Sequence, residues 1–197
     1  PTIDDMDIHL VCELTEQFGW GGRVAVGHGT KYSCLPPAQL QDLGKRLADT
    51  GVAVTVLPAT DLFVMGRHQD HNVMRGVADA NALLACGVNC SLSTNNVLNP
   101  FTPFGDCSLI RIANLYANVA QRGGQEELAD CFEMLTNRSA QLLRQDDYGL
   151  AAGKPADLVI WDAHSRSEAV ATIARPMYGF KRGRHTFTQV MPELHRP

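Results

Sequence analysis

The sequence lacks several features that would assign it to a specialised class of protein. No stretch approaches the roughly 20 consecutive apolar residues of a membrane span, so we expect no membrane partner. Acidic residues (21) outnumber Lys and Arg (17), and the formal net charge of −4 argues against a surface that binds nucleic acid. Hydrophobic residues make up 45% of the chain, which is enough for a substantial core in an ordinary globular protein.

Closely paired cysteines are also missing. The six cysteines are scattered along the chain, and none belongs to a Cys-x-x-Cys motif. This pattern favours a reduced chain over a disulfide-stabilised secreted one. We therefore expect a cytoplasmic protein.

The apolar pattern is informative because it alternates between two periods. Short β-branched segments predict three strands, at Arg23–Val26, Val52–Leu57 and Val88–Leu92. Between them, apolar residues recur at helical spacing, and Gly51 and Gly87 end these two helical stretches. Strand, helix, strand, helix, strand at this spacing predicts an α/β fold with a parallel sheet.

The second half of the chain has a different pattern. Three apolar helices are predicted over Leu109–Ala120, Glu126–Leu135 and Ser139–Leu143. A strand follows at Leu158–Trp161, and a hairpin is predicted around the Lys181–Arg184 turn. The chain thus changes from alternating strands and helices to helices followed by a small antiparallel element.

The segment from Gly87 to Gly105 is the strongest indication of a site. Its buried strand ends in three polar residues, Thr94, Asn95 and Asn96. His28 stands at the same kind of position, between two glycines at the end of the first predicted strand. Because parallel α/β proteins place their chemistry at the carboxyl ends of strands, we expect these side chains to face one site.

The chain resembles amidohydrolases of the cytosine deaminase and isopropylammelide amidohydrolase type. Four motifs carry the resemblance in the order found in that family: GRVAVGHGT, VTVLPATDLFVMGR, RGVADANALLACGVNCSLSTNNVLNPFTPFG and YGLAAGKPADLVIWD. The resemblance implies the C-terminal part of a (β/α)8 TIM-type barrel over residues 1–147, with strands of a small β-sandwich over 148–197. A whole barrel takes about 250 residues. A part of one leaves sheet edges unpaired, so we expect a homo-oligomer, a complementing N-terminal half, or a fragment of a longer polypeptide.

The resemblance also implies roles for individual residues. His28 takes the position of an acid/base group, although a locally bonded turn histidine is the alternative. Asn95 stands where the family has an Asp that binds a divalent metal, zinc or iron, and handles the proton of the attacking water. An amide is a weaker ligand than a carboxylate and accepts no proton near neutral pH. The presence of Asn at this position is alternatively explained by a shift of one residue in the alignment, or by a decayed or engineered site. Asn96 and Phe101 are expected to contact the substrate, with ordinary loop packing as the alternative for Phe101.

Two of the family's metal-binding motifs are absent from the sequence. It contains no His-x-His pair and no His-x-x-Glu motif, and Pro1–Asp7 resembles the loop that follows the second of these. The resemblance therefore implies hydrolysis of C–N bonds in a small, cytosine-like nitrogen heterocycle, in a chain that is incomplete or impaired. A bound zinc or iron and no bound metal are both left open. The alternatives are a non-catalytic remnant or assembly module, or one half of a split enzyme.

Overall fold

A computed structural model describes residues 6–190 together with 192, 193 and 195. Most of the N-terminal segment discussed above, residues 1–5, lies outside the described residues. The described chain forms a mixed α/β structure, as the alternation of apolar periods predicted. It contains one parallel and one antiparallel sheet of three strands each.

The parallel sheet is built from the three predicted strands. Strands β1 (Val24–Gly27), β2 (Val52–Val56) and β3 (Cys90–Leu92) lie in the order β1-β2-β3. All run in the same direction, with Val24 opposite Val52 and Val54 opposite Cys90. Their carboxyl ends therefore open onto one edge of the sheet, as expected.

Helices pack around this sheet and bury its apolar residues. Helix α1 spans Ile8–Gln17, α2 spans Pro37–Thr50, and α4 spans Ala80–Ala85 immediately before β3. A short 3-10 helix occupies Thr30–Cys34. The largest fully buried apolar residues come from both halves of the chain and belong to one core: Leu47, Val52, Val54, Val56, Leu83, Val88, Leu92, Ile112, Tyr116, Met134 and Val170.

Gly51 ends α2 for the reason that the sequence suggested. Its φ of 69° lies in the left-handed region, which glycine adopts without steric cost. A Cβ atom at this position would also lie 2.7 Å from the backbone nitrogen of Gly22. The tight turn between α2 and β2 therefore requires glycine.

A helix not predicted from the sequence follows β2. Pro58 directly follows the predicted Val52–Leu57 strand and opens helix α3 (Pro58–Val64). Proline fits the first turn of a helix because its missing N–H group has no partner there in any case. The consequence for the site is direct, since α3 carries the buried carboxylate of Asp61.

The second half of the chain contains the three predicted helices and a small sheet. Helices α5 (Leu109–Val119), α6 (Gln125–Leu135) and α7 (Asn137–Leu142) precede β4 (Leu158–Trp161) and α8 (Arg166–Ala171). Strands β5 (Pro176–Lys181) and β6 (Arg184–Thr188) form the predicted hairpin, and the antiparallel order is β4-β5-β6. The β-sandwich implied by the resemblance stays a prediction, since the described strands here form a single three-stranded layer.

The two segments separated at residue 147 are in close contact. Asn114 of α5 donates its side-chain N–H to the carbonyl oxygen of Val170 in α8 over 2.9 Å. The rings of Phe132 and Trp161 meet edge to face, with centroids 6.3 Å apart. Among the described helices, none combines the length and apolar character needed to cross a membrane.

Candidate active site

Residues following all three parallel strands meet at one point. His28 directly follows β1, Asp61 lies on α3 after β2, and Asn95 lies three residues beyond β3. Nδ1 of His28 is 2.5 Å from Oδ1 of Asp61, and Nε2 of His28 is 3.2 Å from Nδ2 of Asn95. The imidazole ring thus lies between a carboxylate on one side and an amide on the other.

The backbone at this point is unusual. His28 has a φ of 70° and Asn95 a φ of 57°, which places both residues in the left-handed region that side chains rarely adopt. The backbone N–H of His28 donates to the carbonyl oxygen of Thr55 in β2 over 2.9 Å, which anchors the turn to the sheet. Residues held in such conformations are concentrated at functional sites, where surrounding structure supports the strain.

Asp61 is the buried member of the group. Its side chain is only 2% exposed, whereas that of His28 is 43% exposed. Burial raises the pKa of the Asp61 carboxyl, and the hydrogen bond with His28 partly opposes this effect. The second carboxylate oxygen, Oδ2, is buried without a hydrogen-bond partner among the described residues.

Asn96 lies in a polar network beside this group. Its Nδ2 donates to Oγ1 of Thr60 over 3.4 Å, and its Oδ1 accepts from Nδ2 of Asn99 over 2.8 Å. Thr60 and Thr102 are both buried and share a hydrogen bond of 2.6 Å between their hydroxyl groups. The network connects α3 to the loop after β3, so Asn96 is held in place from both sides.

The loop aromatics lie at the surface. Phe101 and Phe104 are each 61% exposed. Phe104 packs edge to face on Phe63 of α3, with ring centroids 5.6 Å apart, while the Arg67 guanidinium lies 4.8 Å from the centroid of the Phe63 ring. Phe101 contributes its backbone N–H to Oδ1 of Asn99 over 3.0 Å, and its exposed ring is available to a ligand.

The described residues supply too few donors for a metal centre. No group of three or more His, Cys, Asp or Glu side chains that could hold a metal occurs in the described ranges. Catalytic zinc typically takes three protein ligands. Among the described residues, His28 lies next to Asp61 and Asn95, but the Asp61 side chain is 2% exposed and the amide nitrogen of Asn95 faces the histidine. These residues alone therefore do not fit a zinc or iron site.

Comparison with known proteins assigns the family. A family model described as the amidohydrolase family matches residues 2–184. The chain belongs to the amidohydrolase family. This confirms the resemblance recognised in the four sequence motifs, and the relatives of this amidohydrolase chain include proteins of the types named there.

Three relatives indicate the breadth of the similarity. The chain is 26% identical over 156 residues to a pterin deaminase from Rhizobium rhizogenes, covering 76% of this chain and 34% of the relative. It is 23% identical over 185 residues to an N-isopropylammelide isopropyl amidohydrolase from a Pseudomonas species, covering 93% and 42%. The crystal structure of 5-methylcytosine deaminase from Klebsiella pneumoniae superposes with a TM-score of 0.89 at 26% identity, covering 97% and 46%.

This amidohydrolase chain thus spans less than half the length of the relatives that it matches. One structural neighbour, atrazine chlorohydrolase TrzN from Arthrobacter aurescens, was crystallised with zinc; its TM-score is 0.61 and its identity is 23%, so that likeness shows the fold alone. Proteins of this fold thus include a zinc-containing member.

Sequence reasoning placed His28 and Asn95 at strand ends, and the structure brings them together. It did not identify Asp61 as the partner of His28. A local signal was available, because Pro58 followed by an acidic residue in the next turn is typical of a helix start. No local pattern, however, relates that helix to a histidine 33 residues upstream.

Proposed function

We propose that this chain carries part of the active site of a hydrolytic deaminase or amidohydrolase. The substrate would be a small, cytosine-like nitrogen heterocycle, and the bond cleaved would be a C–N bond to the ring. One observation carries the proposal: His28, Asp61 and Asn95 converge at the carboxyl edge of a parallel sheet. The names of the matched relatives, which refer to pterin, isopropylammelide and 5-methylcytosine, support the substrate class.

In the proposed reaction, a water oxygen forms a bond to the ring carbon that bears the nitrogen substituent. The bond from that carbon to nitrogen then breaks, and ammonia or an amine leaves with a proton that the water supplied. His28 would transfer this proton through Nε2, because Nδ1 is occupied by Asp61 and the side chain is 43% exposed. Asn95 contributes an N–H group at Nε2.

Asn96 and Phe101 are proposed to hold the heterocycle. Hydrogen bonds to Thr60 and Asn99 restrain the Asn96 amide, which favours a defined orientation toward a ligand. The exposed Phe101 ring offers a flat apolar surface on which a planar ring can stack. Both residues lie in the loop that follows β3, as does Asn95.

A divalent metal, zinc or iron, is the cofactor that the family implies. Because the described residues do not fit such a site by themselves, we propose that this chain acts with ligands from a complementing N-terminal half or from a homo-oligomer. In such an assembly, residues 1–147 would form part of a TIM-type barrel and residues 148–197 part of a β-sandwich. The chain alone would be incomplete or impaired.

The test is an assay of amine release from cytosine, pterin and N-isopropylammelide. It is run on the purified chain alone and after mixing with the N-terminal half of the pterin deaminase relative. We expect hydrolysis in the mixture, reduced about 10²- to 10⁴-fold by His28→Gln, as is typical when a general acid/base group is removed. His71→Gln is the matched control, because His71 lies in an exposed loop and bonds only to the adjacent Asp70 among the described residues.

A non-catalytic remnant or assembly module is the competing function. The amide at Asn95 favours it, since an amide cannot accept the proton of water. If neither sample releases amine nor binds any of the three heterocycles, the enzymatic proposal is wrong and the remnant is favoured.

A further inference from the structure

The contact between His28 and Asp61 bears on which nitrogen of the imidazole ring carries the proton. A neutral imidazole carries its proton on either Nδ1 or Nε2, and only the unprotonated nitrogen can accept a proton. The hydrogen-bond partner of one nitrogen decides the state of the other. The partners on both sides of the His28 ring therefore determine which of its atoms is reactive.

Both contacts of the ring require the same tautomer. Oδ1 of Asp61 is 2.5 Å from Nδ1, and an ionised carboxylate can only accept, so Nδ1 must carry the proton. Nδ2 of Asn95 is 3.2 Å from Nε2, and an amide nitrogen can only donate, so Nε2 must carry none. The two contacts come from different elements, α3 and the loop after β3, and they agree.

We propose that Asp61 is a positioning residue that holds neutral His28 in the Nδ1–H tautomer, which leaves Nε2 unprotonated where it accepts the side-chain N–H of Asn95. The inference rests on the role proposed above for His28. Asp61 would not touch substrate, because its side chain is 2% exposed and lies behind the ring.

The surroundings of Asp61 support a fixed orientation. The backbone N–H of Asp61 donates to the carbonyl oxygen of Leu57 over 3.1 Å within the first turn of α3. Oδ2 has no partner among the described residues, so Oδ1 makes the one side-chain hydrogen bond seen for this carboxylate. A buried acceptor left without that bond is costly, which favours retention of the Nδ1–H tautomer over its alternative.

Nitrogen NMR of the histidine rings tests this inference without any activity measurement. The full chain is labelled with 15N-histidine and studied at about pH 9, well above the ordinary imidazole pKa of about 6.5. His28→Gln assigns the ring signals. We expect a protonated Nδ1 and an unprotonated Nε2 in the wild-type protein, and a loss of this preference in Asp61→Ala.

Two further variants separate Asp61 from its surroundings. Asn95→Ala removes the contact at Nε2 and should leave the tautomer unchanged. This result would show that Asp61, and not Asn95, determines the tautomer. Asp70→Ala is the matched control, because Asp70 makes the same kind of bond to His71 in an exposed loop, and it should leave the His28 signals unaltered.

A proton on Nε2 in the wild-type spectrum would overturn the proposal, whether or not Asp61→Ala folds. The proposal would also be overturned if Asp61→Ala retained the native circular-dichroism spectrum and kept the wild-type tautomer. Neither NMR result depends on whether amine is released. A failure of the proposed function can therefore be distinguished from a failure of this inference.

Discussion

Asn95 donates a side-chain N–H to Nε2 of His28 over 3.2 Å, although β2 separates the strands that precede these two residues. Both residues have positive φ angles and follow the strands where the backbone leaves the sheet. An aspartate at this position would face the same nitrogen as a hydrogen-bond acceptor. Replacing the amide nitrogen of Asn95 by a carboxylate oxygen would thus reverse the direction of the hydrogen bond at Nε2 of His28.

The first prediction concerns this reversal. In the assembled protein, Asn95→Asp should increase hydrolysis, because a carboxylate can accept the proton of water and an amide cannot. An increase of about 10²- to 10⁴-fold in the rate of amine release is expected, which is the usual contribution of a general base. Asn95→Ala is the control and should show no increase. Equal rates for the two variants would mean that Asn95 is not the position of the family's Asp.

The second prediction concerns the pH dependence of stability caused by Asp61. Burial raises its pKa in the folded protein, whereas the unfolded chain has an ordinary value of about 3.9. Between these two values the folded state binds more protons, so the contribution of Asp61 to stability is lost as the pH rises through the folded pKa. The free energy of unfolding of Asp61→Asn, minus that of the wild type, should therefore increase from pH 4 to pH 7.

Urea unfolding at several pH values measures this difference, with both proteins carrying His28→Gln so that the histidine bonded to Asp61 does not contribute to it. Asp70→Asn provides the exposed control and should give a difference that is flat with pH. A flat difference for Asp61→Asn would show that its pKa is not raised.

The third prediction concerns the buried hydroxyl pair that connects α3 to the loop after β3. Thr102→Val should lower the free energy of unfolding by about 1–3 kcal/mol, because Thr60 loses a buried partner at 2.6 Å. The double variant with Thr60→Val should recover part of this loss, since neither hydroxyl of the pair is then left buried without the other. Thermal or urea unfolding measures both effects, and Thr186→Val, at an exposed position of β6, is the control. Strictly additive losses would contradict the pairing.

The fourth prediction concerns thiol reactivity. Cys34 and Cys107 are exposed, whereas Cys12, Cys90 and Cys131 are buried. Burial also raises the pKa of the Cys90 and Cys131 thiols to about 12, which keeps them protonated and unreactive near neutral pH. A chromogenic disulfide reagent at pH 8 should therefore modify Cys34 and Cys107 rapidly and the three buried thiols only after unfolding. Mass spectrometry of the modified peptides identifies the sites, and rapid labelling of Cys90 in the folded protein would contradict the packing described here.

Much of the fold could be predicted because it depends on short-range patterns. The β-branched strand predicted over Val52–Leu57, which spans Val52–Val56 in the structure, and the helix ended by Gly51 were recognised from neighbouring residues alone. The Leu158–Trp161 strand was predicted with the bounds that the structure has. The helix at Pro58–Val64 was missed, since its seven residues are too few to display a clear apolar period.

The sequence by itself determined the order of strands and helices, and the placement of His28 and Asn95 at strand ends. These properties follow from side-chain periodicity and from the geometry of glycine and proline, which act over a few residues. Only the tertiary structure decided that Asp61 lies against Nδ1 of His28 and that the amide of Asn95 faces Nε2. Such contacts join residues 33 and 67 positions apart and depend on how the parallel strands align and how α3 packs, which no local pattern encodes.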